Sequence, residues 1–101
     1  MEGSEGTGVK ISRQKAKQLI IDNGGARLSQ LWWHYVDGWR EVAVNPDISG
    51  WREWVKIQSN GIQFTGGSWL RFDGAECHYD QGELELRYGN TMLVYELEDK
   101  R

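Results

Sequence analysis

Two histidines and six tryptophans are the side chains of this 101-residue sequence that point most directly to chemistry or binding. His34 and Glu41 flank Asp37-Gly38, and a two-residue turn at that pair predicts that they face each other on adjacent strands. A histidine opposite a carboxylate can act as an oriented general base. No serine, threonine or cysteine is placed beside them as a nucleophile. We therefore rank a hydrolase well below a simple cross-strand contact.

The second histidine belongs to a similar arrangement. Asp73-Gly74 predicts a hairpin that sets His78 opposite Trp69, and it also predicts that Arg71 faces Glu76. The same reasoning applies to both histidines: a pair of facing polar side chains stabilises a sheet more often than it catalyses a reaction. We expect no catalytic residue in either arrangement.

Metal and phosphate sites are not predicted. A zinc site needs three or four ligands at characteristic spacing, whereas this chain has two histidines and the single thiol of Cys77, which falls on a predicted apolar face. Gly24-Gly25 follows a predicted helix instead of opening one, unlike a phosphate-binding loop. We expect no cofactor and no metal.

The tryptophans divide between the two faces of the predicted strands. Alternation places Trp33 and Trp51 on the apolar face, where they would pack in a core, and the other four on the polar face. Tryptophan exposed on a surface is typical of a binding site, because it dominates interface energetics. The predicted partner-binding residues are Trp32, His34, Trp39, Glu41, Arg52, Trp54, Trp69, Arg71 and His78.

The elements that must position these residues begin with one helix. Residues 1–8 are polar and glycine-rich, which predicts a flexible tail, and residues 9–101 form a single domain. Ser12 is suited to cap a helix over residues 13–23, and Asn23-Gly24-Gly25 ends it. Beyond this point the apolar period changes from 3.6 to 2, which indicates strands.

Four turn signals then predict hairpins: Asp37-Gly38, Asn60-Gly61, Asp73-Gly74 and Gly89-Asn90. The second places Trp51, Val55, Ile57, Ile62 and Phe64 on one face, with Trp54 on the other. The fourth sets Leu86 against Leu93 and Leu84 against Tyr95. All four agree on one apolar and one polar face, and a slip of one residue would invert this pattern.

The predicted fold is α+β and mostly β. An N-terminal helix precedes an antiparallel meander of six to eight strands, which curls into a small barrel or half-barrel to cover its apolar face. The helix would lie over one opening. The alternative is a sheet of five or six strands packed against the helix.

Composition excludes several classes of protein. Apolar residues make up 39% and charged residues 27%, with a net charge of −3. An acidic chain is poorly suited to duplex DNA, and no apolar run approaches the roughly 20 residues of a membrane span. A single cysteine favours a reducing compartment, so we expect a cytoplasmic protein.

The functional prediction is a non-catalytic module that binds a protein partner, as an inhibitor, an adaptor or an assembly subunit. The alternative is a pocket for a small apolar or sugar ligand, lined by Trp33, Tyr35, Phe64 and Tyr95. Single-stranded nucleic acid stacked on the indoles is a weaker alternative, because the chain is acidic.

Overall fold

The computed structural model describes residues 8–45 and 49–97 of the chain. Apart from Gly8, the predicted tail lies outside these residues. The described part contains one helix and nine strands: β1 (Val9–Ile11), α1 (Arg13–Asn23), β2 (Gly25–Tyr35), β3 (Gly38–Val42), β4 (Trp51–Gln58), β5 (Gly61–Phe64), β6 (Trp69–Arg71), β7 (Glu76–Asp80), β8 (Glu83–Tyr88) and β9 (Thr91–Glu96). The strands are antiparallel, so the mostly β fold with one short helix is confirmed.

Helix α1 begins and ends where its capping residues predict. The Ser12 side chain accepts a hydrogen bond from the Lys15 backbone N–H at 3.0 Å. Gly24 adopts the left-handed conformation at φ 86°, and its N–H donates to the Ile21 carbonyl. Ala16 and Ile20 are fully buried, so one face of the helix covers the core of the sheet.

The strands form one sheet in the order β1-β7-β8-β9-β2-β4-β5-β6, and β3 pairs with β2 outside this path. Strand β2 pairs with β9 along one edge. Its other edge is shared, because residues 31–35 pair with β3 and residues 25–27 pair with β4. Within the described residues, β3 therefore has a single strand neighbour and forms a free corner of the sheet.

The sheet is not closed. Among the described residues, β1 pairs only with β7 and β6 pairs only with β5, so the predicted barrel is not confirmed. Strands from distant positions in the sheet nevertheless share one core, since Leu70 of β6 and Cys77 of β7 belong to the same buried cluster as Leu84 of β8. The Tyr88 hydroxyl also donates to the Arg71 carbonyl, which links β8 to β6.

The predicted register of the β8–β9 hairpin is confirmed. Leu86 lies opposite Leu93, and Leu84 lies opposite Tyr95. Gly89 takes the positive φ of 55° in the turn. Both leucines of β8 are fully buried, as the alternation predicts for this face.

The predicted register of the β2–β3 hairpin is wrong by two residues. The turn consists of Val36 and Asp37, and Tyr35 lies opposite Gly38, so His34 faces Trp39 instead of Glu41. A shift of two residues leaves each side chain on its own face of the sheet, so apolar alternation does not distinguish the two registers. Gly38 takes its positive φ of 121° at the first strand position and not inside the turn.

Bulges change the faces of β2 and β4. The pairing of β4 with β5 shifts between Trp54 and Lys56, so Trp54 lies opposite Phe64 and packs against the core, whereas Val55 is exposed. The predictions of an outward Trp54 and a buried Val55 are therefore wrong, because the inserted residue reverses the alternation.

A second bulge lies in β2. The pairing of β2 with β9 shifts between Leu28 and Gln30, so Arg27 lies between Glu96 and Trp51 on neighbouring strands. Trp51, predicted in the core, is only half-buried beside this row of charged residues. The cause is the bulge in β4, because Trp51 lies on the far side of that bulge from the Asn60-Gly61 turn and therefore takes the face opposite to the predicted one.

The predicted hairpin at Asp73-Gly74 does not form as a strand pair. Strand β6 pairs with β5, and β7 pairs with β1 and β8, so Trp69 does not face His78 and Arg71 does not face Glu76. The connection between β6 and β7 packs against the core, since its residues Phe72 and Ala75 belong to the buried cluster. Cys77, predicted on an apolar face, is buried in the same core, even though the predicted strand pairing of this segment was wrong.

Candidate functional site

Four of the nine predicted partner-binding residues come together on one side of the β2–β3 hairpin. Trp32 lies opposite Glu41, and His34 lies opposite Trp39, so all four side chains share the side that points away from the core. We call these four residues the outer cluster. Trp32 and Trp39 are half-buried, whereas His34 and Glu41 are exposed.

Contacts within and beside the outer cluster hold its rings in place. The His34 and Trp39 rings meet edge to face, with centroids 5.0 Å apart and an interplanar angle of 77°. The Trp32 indole N–H donates to the Gln30 side-chain oxygen at 3.1 Å. The backbone N–H of His34 donates to the Asn90 carbonyl at 2.8 Å, which ties the hairpin to the β8–β9 turn.

The opposite side of the hairpin is more exposed than the sequence predicts. Trp33 is 46% exposed and Tyr35 is 42% exposed, and Val36 in the turn is fully exposed. The prediction that Trp33 packs in the core is wrong, because β2 and β3 continue beyond the buried cluster. Nothing in the alternation of the sequence marks where the opposing layer of the core ends.

Two charged residues border these exposed side chains. The Arg40 guanidinium lies over the Tyr35 ring, 5.1 Å from its centroid, and donates to the Asp37 carboxylate at 2.7 Å. We call Trp33, Tyr35 and Val36, with Asp37 and Arg40 at their border, the tip patch. The sequence reasoning did not identify this patch, although the position of Val36 next to a turn was a usable signal of exposure.

Arg52 and Trp54 do not extend the outer cluster. Both lie on β4, which pairs with residues 25–27 of β2, several residues away from Trp32 along that strand. The Arg52 guanidinium donates to the Thr65 carbonyl at 3.1 Å. The Trp54 indole N–H donates to the Ile21 carbonyl at the end of α1, also at 3.1 Å. Trp54 therefore secures the helix to the sheet.

Trp69, Arg71 and His78 lie in two further places. Trp69 and Arg71 are exposed on β6, and the structure does not bring either of them to the outer cluster. His78 lies on β7, between Lys10 of β1 and Glu85 of β8. The nine predicted residues therefore do not form one surface.

The histidine that does contact a carboxylate is His78. Its Nε2 lies 2.7 Å from the Glu76 carboxylate. This hydrogen bond, with a smaller contribution from the Lys10 ammonium, lowers the pKa of Glu76. Cys77 points the other way into the core, where burial raises the pKa of its thiol and makes it a poor nucleophile.

The residues predicted to line a ligand pocket divide into two pairs in the structure. Phe64 and Tyr95 stack against each other with ring centroids 6.1 Å apart, whereas Trp33 and Tyr35 belong to the tip patch. The four residues therefore lie in two environments, one pair packed in the core and the other exposed. Across residues 8–45 and 49–97, no group of three histidine, cysteine, aspartate or glutamate side chains is arranged to hold a metal ion.

The fold and the site define a class in structural terms only: a small domain in which a helix covers a curled antiparallel sheet and an aromatic hairpin forms a free corner. Comparison with known proteins found no match to a family model, a curated protein or a solved structure. Of the helices in the described residues, none has the length and apolar character needed to span a membrane.

Proposed function

We propose that this chain is a non-catalytic module that binds a protein partner through the outer cluster. The observation that carries the proposal is the grouping of two tryptophans, a histidine and a carboxylate on one side of the β2–β3 hairpin. Tryptophan is enriched among the residues that contribute most to protein–protein binding. The exposed His34 and Glu41 supply polar groups at the border of the two indoles.

The contacts that hold the rings of the outer cluster favour binding, because side chains that are already ordered lose little conformational freedom when a partner associates. Trp32 is fixed by Gln30, and the Trp39 ring is fixed against His34. A side chain that is already held in one rotamer loses less conformational entropy when a partner covers it. The cluster therefore resembles a preorganised contact surface.

The arrangement favours a protein over the other ligand classes. Sugars and unpaired bases stack on flat, parallel ring platforms, whereas the His34 and Trp39 rings are close to perpendicular. The observed register also leaves His34 opposite Trp39, without the facing carboxylate that would orient a general base. The observation that motivated a hydrolase here, His34 facing Glu41, is therefore absent from the observed register.

Affinity capture from an extract of the source cells tests the proposal. The wild-type chain and the Trp39→Ala variant are compared by quantitative mass spectrometry, with Trp69→Ala as a control in which an exposed indole is removed from a different strand. We expect one protein to be recovered with the wild type and the control, and at least tenfold less of it with Trp39→Ala, a loss of about 1.4 kcal/mol or more.

Thermal melting of each variant separates lost binding from lost folding. We expect Trp39→Ala to melt close to the wild type, since its ring is not part of the buried cluster. Recovery of the same proteins at the same level with all three chains would contradict the proposal.

A further inference from the structure

The tip patch is an exposed apolar surface that the proposed function does not use. Trp33 and Tyr35 lie on the core side of β2, opposite in direction to Trp32 and His34. Together with Val36 they leave two aromatic rings and a turn residue in contact with solvent. An apolar group of this kind on a small domain is typical of an interaction site.

The charges of the tip patch indicate what kind of surface fits it. Asp37 and Arg40 are both more than half exposed, so their ion pair contributes little to the fold and can be exchanged at small cost. The patch carries one charge of each sign. A strongly acidic or strongly basic partner gains nothing from it, whereas an identical patch turned by a two-fold axis presents an arginine to the aspartate and an aspartate to the arginine.

We propose that the tip patches of two copies of this chain pack against each other about a two-fold axis. In this contact Asp37 of one copy pairs with Arg40 of the other, and the Trp33 and Tyr35 rings of both copies are covered. The outer cluster points away from the contact and remains free for a different protein. The inference therefore does not rest on the proposed function.

The size of the patch sets the strength of this contact. The exposed parts of the three apolar side chains amount to roughly 300–400 Å² per copy, judged from the area that aromatic residues bury. This is well below the roughly 800 Å² per partner of a standard stable interface. The dimer is therefore weak and reversible, and it forms only at high protein concentration.

Sedimentation of the full chain from about 1 µM to about 1 mM tests the proposal, because that range spans the dissociation constants of weak contacts. We expect the average mass of the wild type to rise towards that of a dimer at the upper end. Trp33→Ala should raise the dissociation constant at least tenfold. Val36→Ser, at a fully exposed turn position that does not threaten folding, should weaken the dimer in the same direction.

A charge exchange tests the two-fold arrangement itself. In Asp37→Arg, like charges meet across the axis, and the same is true of Arg40→Asp, so each variant alone should sediment as a monomer. An equimolar mixture of the two restores opposite charges at both positions, and we expect dimers to reappear in it. No other occupant of the patch predicts this recovery.

The experiments on the dimer and the experiment on the proposed function give results that can be told apart. Wild-type protein that remains monomeric at about 1 mM would overturn the dimer, and a mixture of the charge variants that fails to associate would overturn its symmetry. The Trp39→Ala variant, which tests the outer cluster, should dimerise as the wild type does. Its failure to dimerise would also count against the proposal, because Trp39 lies on the other side of the hairpin.

Discussion

The β8–β9 and β2–β3 hairpins are built by the same alternation of side chains and end in opposite environments. In β8, Leu84 and Leu86 are fully buried, whereas in β2 Trp33 is nearly half exposed. The β8–β9 hairpin is flanked by β7 and β2 and faces the shared core, but β3 has β2 as its only strand neighbour among the described residues. Alternation therefore separates two faces, and the opposing layer decides which stretch of the apolar face is buried.

Truncation of one apolar side chain in each hairpin should give the largest difference between them. We expect Leu86→Ala to lower the free energy of unfolding by about 2–5 kcal/mol, because it leaves a cavity in the core. Trp33→Ala removes more atoms, but many of them already contact solvent, and we expect a loss of about 1–2 kcal/mol. Urea denaturation at low protein concentration measures both. Equal losses would show that the tip patch is covered in the folded chain.

Unfolding at alkaline pH tests the buried hairpin, β8–β9, through the hydroxyl of Tyr95. Burial raises the pKa of Tyr95 in β9 to about 12, from an ordinary value of 10. The folded state holds the phenolic proton more tightly than the unfolded state. This stabilisation is therefore complete below pH 10 and is lost as the pH rises from 10 to about 12.

We expect Tyr95→Phe to remove this part of the pH dependence, a change worth roughly 2–3 kcal/mol at the alkaline limit. Burial also raises the pKa of Tyr88, so some alkaline destabilisation should remain in the variant. Urea denaturation repeated across this pH range gives the measurement. Parallel stability curves for wild type and variant would show that the Tyr95 hydroxyl is accessible to solvent.

The turn that determines the β2–β3 register can be tested at Gly38. A residue with a side chain rarely adopts a φ of 121°, and an added Cβ would meet no atom within 4 Å, so the whole cost of a substitution is backbone strain. We expect Gly38→Ala to lower the free energy of unfolding by about 1–3 kcal/mol. Gly50, which has equal space and no positive φ, is the matched control, and Gly50→Ala should be neutral or slightly stabilising. A neutral Gly38→Ala would favour a different register.

The β8–β9 and β2–β3 hairpins also differ in how much of their structure could be predicted from the sequence. The caps of α1 and the β8–β9 register follow from local chemistry, since Ser12, Gly24 and Gly89 act on their own neighbours. The β2–β3 register does not follow from local chemistry, because a shift of two residues leaves every side chain on the same face of the sheet. The bulges at residues 28–30 and 54–56 carry no turn residue that marks them, and the one at 54–56 put Trp51 and Trp54 on the faces opposite to those predicted.

The candidate site was predictable only in the part that depends on alternation within a single hairpin. The outer cluster was identified because its four residues alternate within a single hairpin, and this survives an even shift in register. Trp69 and His78 were grouped wrongly, since their strands meet other strands far apart in the sequence. Long-range pairing, and not local preference, decided their positions.

The smallest expected effect on stability is at the border of the tip patch, and it separates folding from association. The ion pair of Asp37 with Arg40 is mostly exposed, so we expect Asp37→Asn to change the free energy of unfolding by less than about 0.5 kcal/mol. The same substitution removes one charge from each end of the proposed two-fold contact and should weaken dimerisation severalfold. Urea denaturation and sedimentation of one preparation measure the two effects side by side. A variant that loses stability but dimerises unchanged would mean that Asp37 serves the turn alone, because a residue that acts only within its own hairpin has no reason to influence a second copy.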